Sequence, residues 1–235
     1  MAGDEVKKTM NTYPKKLFTF SLFCVFSFVG IASAAPQNSE PESALKTITI
    51  NFGNQYYRVT YKPDRPDDVP QEAYDALWEV QKEVIDNFTY DYAVLRDSRR
   101  YKNLSTKEDF YKHGKGVCEN YANFFILLAA EKGITENLYK VSGDGRSGGH
   151  AWLEYRTEHN VYIIDPTWSD DYSYDSRARK KFRESPAYGK QAFFITYEED
   201  AIIFPIKRQG YNHSSFGRNR EEIPLWRMVT DTRQE

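Results

Sequence analysis

The stretch that most restricts this chain runs from Tyr121 to Lys132. It is apolar on nearly every face of a helix, follows Gly116-Val117 and stops at Gly133. A helix with no polar face cannot lie on a surface, so it must sit in a core with other elements packed around it. Glycine just past the last turn is a helix stop. Cys118 falls in the first turn, where the positive end of the helix dipole favours a thiolate over a thiol. With the helix body buried and its start behind a glycine loop, the thiol is expected at the floor of a cleft.

The elements around this helix are read from periodicity. Ile48, Ile50 and Phe52 alternate, Gly53-Asn54 punctuates, and Tyr57, Val59 and Tyr61 alternate again, which predicts a hairpin. The run Pro63 to Pro70 breaks regular structure. From Gln71 the spacing of Tyr74, Leu77, Trp78, Gln81, Val84, Ile85 and Phe88 predicts a helix ending near Phe88. Ser105 and Glu108 form a capping box for a short helix that Gly114 terminates. A strand is expected at Leu138 to Val141, followed by a glycine-rich loop from Gly143 to Gly149. A second hairpin joins Ala151–Arg156 to Val161–Ile164, and Ala192 to Tyr197 reads as a further strand. The segment after Trp168, with Arg177 to Arg183, reads as an exposed excursion. Ile202 to Trp226 is too irregular to place.

At the N-terminus, Lys15 and Lys16 precede an apolar run from Leu17 to Ile31 and a small-residue cleavage site, Ala32-Ser33-Ala34. This is the layout of a secretory signal, and the run is shorter than the roughly 20 residues of a membrane-spanning helix. Asp4 and Glu5 are out of place in a signal start, so Met10 is an alternative point of initiation. The expected organisation is a signal peptide at 1–34, a flexible lead-in at 35–45, a hairpin and loop at 46–70 and one catalytic domain at 71–235. The mature protein is expected to be secreted or periplasmic, with no stable membrane anchor; Phe23 before Cys24 argues against lipid attachment. Removal of the signal leaves Cys118 as the sole thiol, so no internal disulfide can form. A lone thiol in an oxidising compartment is either buried or used. A net charge of −2 gives no basic field and no support for nucleic-acid binding.

Nucleophilic use of a thiol needs a base nearby, and a base needs a group to orient it. In the hairpin closed near Thr157-Glu158 or Glu158-His159, His150 falls opposite Asp165 or one diagonal step away. Pro166 stiffens the chain just past that carboxylate. Cys118, His150 and Asp165 are therefore the candidate catalytic residues, with the Cys118 backbone N–H as one oxyanion donor. His113, at a helix end, is read as structural, and His159 as exposed in a turn. His213 reads as a surface residue of the irregular tail, and Trp152 and Trp168 as core and cleft-wall packing. Asp170, Asp171 and Asp175 read as a solvated loop, without the spacing of a calcium loop.

These residues carry a resemblance. Lys115-Gly116-Val117-Cys118-Glu119-Asn120-Tyr121-Ala122, Gly149-His150-Ala151-Trp152 and Ile164-Asp165-Pro166-Thr167-Trp168 resemble the three core motifs of the transglutaminase-like superfamily. Phe88-Thr89-Tyr90-Asp91 resembles the segment before the cysteine motif in its bacterial members. The resemblance covers roughly Phe88 to Trp168, and more weakly extends to about Tyr197. It implies a secreted bacterial member with an α+β, papain-like fold: N-terminal helices, and a nucleophile helix packed on an antiparallel sheet bearing the histidine and aspartate. It implies Cys118 as nucleophile, His150 as general base and acid, and Asp165 as the orienting carboxylate. The family holds cross-linking enzymes, peptidases, amidases and inactive relatives.

The expected activity is cysteine-dependent acyl transfer through a thioester on a protein or peptide amide, as transferase or amidohydrolase. The alternatives are a peptidase of the same fold and a non-catalytic binding or envelope-associated protein. No cofactor or metal is expected. Substrate, acyl acceptor and oligomeric state stay open.

Overall fold

The alternating N-terminal runs pair as β1 (Lys46–Phe52) and β2 (Gln55–Tyr61), an antiparallel hairpin turned at Gly53 with φ +57°. The computed structural model describes residues 45–146, 148–171, 176–206 and 211–231. The stretch 1–34, where a signal peptide is expected, lies outside them, as do Ser147 and Asp175. No helix among the described residues is long and apolar enough to cross a membrane.

The 3.6-residue stripe becomes α1 (Gln71–Asn87), burying Tyr74, Leu77, Val80, Gln81, Val84 and Ile85. The short strand β3 (Thr89–Tyr90) and the short helix α2 (Tyr92–Arg96) follow, then α3 (Lys107–His113) and the short strand β4 (Lys115–Gly116). The capping box of α3 forms one residue later than its sequence suggests: the Thr106 hydroxyl accepts from the Asp109 N–H, and Asp109 accepts from the Thr106 N–H. Ser-Thr and Glu-Asp repeats permit either register. The later one buries Phe110 while Gly114 closes the helix at φ +66°.

Helix α4 (Cys118–Glu131) is the core helix, burying Tyr121, Ala122, Phe124, Phe125, Ile126, Leu128 and Ala129. Each buried phenylalanine contributes about 1.5–3 kcal/mol. The helix lies against an antiparallel sheet of order β8-β7-β6-β5-β9, in which β5 is Leu138–Asp144, β6 Gly149–Arg156, β7 Val161–Ile164, β8 Phe193–Ile195 and β9 Arg218–Pro224. The period of two divides β6 between two cores. Ala151, Leu153 and Tyr155 join the cluster of α1 and α4, while Trp152 joins a second cluster with Trp168, Ile203, Phe204 and Phe216. The one-turn helix α5 (Pro166–Ser169) follows β7 directly. The architecture is thus α+β with antiparallel sheets, as expected.

Three expectations need correction. The strand expected through Tyr197 stops at Ile195, because Thr196 and Glu199 form a capping box that starts α7 (Tyr197–Ile203). The expected exposed excursion includes α6 (Ser176–Arg183), whose Ala178 and Phe182 are buried with Ile50, Val59, Tyr61 and Ile85 beneath the β1–β2 hairpin. The irregular C-terminal stretch supplies β9 and a final helix, α8 (Leu225–Asp231). Strand β9 alternates weakly because it is an edge, with Arg218 to Glu222 all exposed.

Candidate active site

Cys118 is the first residue of α4, and the chain leading to it is held on both sides. Strand β3 pairs in parallel with β4, and Asp91 donates its N–H to the Gly116 carbonyl at 2.8 Å. Asn120 folds back over this segment: its Oδ1 accepts from the Val117 N–H at 3.1 Å, and its Nδ2 donates to the Lys102 carbonyl at 3.0 Å. The contact is so close that a Cβ on Gly116 would lie 2.6 Å from Asn120 atoms, so only glycine fits there. Lys140, from β5, donates to Glu119 and to Asn123 Oδ1 at 2.8 Å, tying the first turn of α4 to the sheet.

The β6–β7 register pairs Leu153 with Ile164 and Arg156 with Val161 across a four-residue turn. Continuing it puts Asp165 opposite Trp152, two residues from His150 on the same face. This is the diagonal arrangement, and it suffices: His150 Nε2 lies 2.7 Å from Asp165 Oδ2. Asp165 is also the N-cap of α5, its Oδ1 accepting from the N–H groups of Thr167 at 2.8 Å and Trp168 at 3.2 Å. The cap fixes the carboxylate's direction, with Pro166 at the first helical position. The β6–β7 turn is itself anchored by Asp68 from the loop before α1, which accepts from Thr157 Oγ1 at 2.6 Å and Asn160 Nδ2 at 2.9 Å.

With Nε2 engaged by Asp165, Nδ1 is the ring nitrogen left to serve Cys118, which is half-buried. The ring stacks on Trp168 (centroids 5.0 Å, 20°) and on Trp152 (5.8 Å, 18°), so the two tryptophans act as walls that fix its plane. Burial opposes a charge on His150, but the Asp165 carboxylate and its hydrogen bond, with Cys118 adding to them, outweigh it and hold the imidazole well above its usual range. Burial likewise opposes the Asp165 charge, and His150 with His213 overrides it, holding that carboxyl well below the usual carboxylate range. His150 and Asp165 are therefore brought together, and Cys118 is near enough to act on the His150 charge.

His213 is the main departure from the sequence reading. It is not a surface residue: it is completely buried, with Nδ1 2.7 Å from Asp200 Oδ1 and Nε2 3.0 Å from Asp165 Oδ2. Its backbone N–H also donates to Asp200 Oδ2 at 2.8 Å. Nothing local marks it, since it lies on a short 3₁₀ turn (His213–Ser215) without a periodic pattern. Asp170 and Asp171 are likewise no solvated loop: both are buried, one accepting from the Tyr121 hydroxyl and the other from Arg183. His113 ends α3 and His159 is exposed in the turn, as expected.

His150, Asp165 and His213 are the one group among the described residues with metal-ligand types clustered, their atoms within 4.8 Å of one another. Those atoms already satisfy each other as hydrogen-bond partners, so a proton network accounts for them. Residues 64–173 match the family model of the transglutaminase-like superfamily. The matched stretch contains Cys118, His150 and Asp165, whereas Asp200 and His213 lie beyond it. Comparison with curated proteins finds no match.

Proposed function

We propose that the chain is an exported cysteine enzyme that transfers acyl groups from a protein or peptide amide through a thioester on Cys118. The observation that carries this reading is the fixed His150–Asp165 pair, 2.7 Å apart, together with a thiol at the head of α4 that acts on the His150 charge. The transglutaminase-like domain at 64–173 supports it, because that superfamily generally comprises cysteine enzymes. The reading assigns the chain a papain-like form of the α+β fold, with the nucleophile helix against the sheet.

In the proposed cycle the Cys118 proton passes to His150 Nδ1, and the thiolate adds to the amide carbon. The oxyanion is held by the Cys118 N–H, which no preceding helical turn uses. The carbon–nitrogen bond breaks as the imidazolium returns its proton to the leaving nitrogen, and the thioester remains. Water or an amine then gives a proton to His150 and attacks the thioester, releasing the thiolate. Asp165 holds the Nε2–H throughout, which keeps Nδ1 as the working nitrogen. The leader at 10–34 supports export, and N-terminal sequencing of the mature protein checks it; an intact Met1 would refute it.

The chemistry is tested by iodoacetamide labelling of native protein across pH. Rapid labelling of Cys118 below pH 7, lost in His150→Ala, is expected. A thiol inert until unfolding overturns the reading. Incubating a peptide mixture with and without added amine then separates a peptidase, which yields new backbone cleavages, from a transferase, which yields amine adducts.

A further inference from the structure

Both ring nitrogens of His213 face carboxylate oxygens, Asp200 Oδ1 at 2.7 Å and Asp165 Oδ2 at 3.0 Å. A neutral imidazole has one N–H and one bare lone pair, so it would set a lone pair against one of those oxygens. One additional proton removes the conflict. On Asp165 it has no place, because that carboxylate already accepts from His150 Nε2 and from two backbone N–H groups. Asp200 is also committed as an acceptor, to the His213 backbone N–H. An imidazole is more basic than a carboxylate by about 2–3 pH units, so the ring takes the proton.

We propose that His213 is a permanently protonated imidazolium, clamped between Asp165 and Asp200, that acts as a positioning residue for the catalytic pair. It keeps Asp165 ionised and its Oδ2 aimed at His150 while His150 gives up and regains its proton. The proposal rests on the Cys118–His150–Asp165 reading and deepens it. Each time His150 becomes neutral, Asp165 would otherwise stand as a completely buried carboxylate without a counter-charge. Burial works against a proton on His213, and the bonds to Asp165 and Asp200 more than offset that, in keeping with the geometry.

The titratable groups facing His213 are Asp200 from α7, Asp165 from the β7–α5 junction and His150 from β6, whose ring centroid is 5.6 Å away. Trp152 at 5.3 Å and Trp168 at 4.0 Å line its other sides. Arg220 lies over the Trp152 ring and is paired to Glu154 at 2.5 Å. A cation this close makes His150 give up its proton more readily. In the His213→Gln/Asp200→Asn variant both charges vanish, and the nearer one decides the sign: His150 should hold its proton to higher pH.

Nitrogen-15 NMR of the intact, histidine-labelled protein reads the charge directly. Both His213 nitrogens should show imidazolium shifts between about pH 5 and pH 8; a bare-nitrogen shift on either overturns the proposal, with no variant needed. In the double variant, the nitrogen-15 titration of His150 should move up by about one pH unit, a tenfold change in proton affinity. A folded double variant in which His150 titrates as in wild type also overturns it, since a merely structural His213 would leave that titration in place. His150→Ala separates the two readings. Unchanged alkylation there defeats the Cys118–His150 pairing whatever the charge on His213, while lost alkylation with a neutral His213 defeats the present proposal alone.

Discussion

Replacing Asp165 by asparagine is the most informative single change. Every partner of this carboxylate is a donor: two backbone N–H groups at Oδ1, and the Nε2 atoms of His150 and His213 at Oδ2. An amide has one oxygen, so either flip of the substituted side chain turns its NH₂ toward two donors. If the NH₂ faces the histidines, His150 relieves the clash by losing its Nε2 proton and carrying one on Nδ1 instead. It then presents a donor to Cys118 and cannot take the thiol proton. Removing one member of a buried pair costs about 3–5 kcal/mol, and the wrong tautomer in a serine-type triad costs about 10⁴ in rate. The stability loss should follow pH. The depressed Asp165 contributes above about pH 4, and the raised His150 contributes below about pH 6.5 and fades as pH rises through its folded value. Urea unfolding should therefore show the largest gap between wild type and Asp165→Asn between those limits, and labelling of Cys118 below pH 7 should nearly stop. Wild-type labelling in the variant, or a gap that does not change with pH, would refute the coupling.

Gly116→Ala drives a Cβ to 2.6 Å from Asn120 and displaces the bond from Asn120 to the Val117 N–H. Overpacking of about 1–3 kcal/mol plus a lost cap of about 1 kcal/mol should appear in urea unfolding, together with slower Cys118 labelling; a variant as stable as wild type would show that the loop gives way freely. Burial pushes Asp170 up to about 7, against the Tyr121 hydrogen bond and with help from the Asp171 charge. The folded state thus holds a proton that the unfolded chain releases near pH 4, and stability should fall as pH rises from about 4 to 7. Asp170→Asn should flatten that fall, measured by unfolding at several pH values; an unaltered slope would count against a buried, proton-holding Asp170.

Local patterns carried much of this molecule. The stripe from Tyr74 to Ile85 forms α1, the all-apolar run forms α4, and the alternation on either side of the Thr157–Asn160 turn forms β6 and β7. Such signals are legible because their periods, 3.6 and 2, are properties of the backbone itself. Where the chain stops repeating, the reading thins. Thr196 and Glu199 convert an apparent strand end into a helix start, and Phe182 turns a charged run into a packed helix, because burial there is supplied by β1 and β2, more than 100 residues away in the chain.

The helix that bears Cys118 and the hairpin whose register brings His150 to Asp165 are legible from local spacing, because both depend on short repeats along one or two adjacent elements. What stands behind Asp165 follows from long-range packing alone. His213 and Asp200 are 13 residues apart and His213 is 48 residues from Asp165, and no local period links them. They meet because β9 returns to pair with β5, where Gly143 leaves room for the Phe216 carbonyl, and α7 closes over the same sheet face. A buried charge network is satisfied by whatever the fold brings within about 3 Å, and that proximity is not encoded in any one segment.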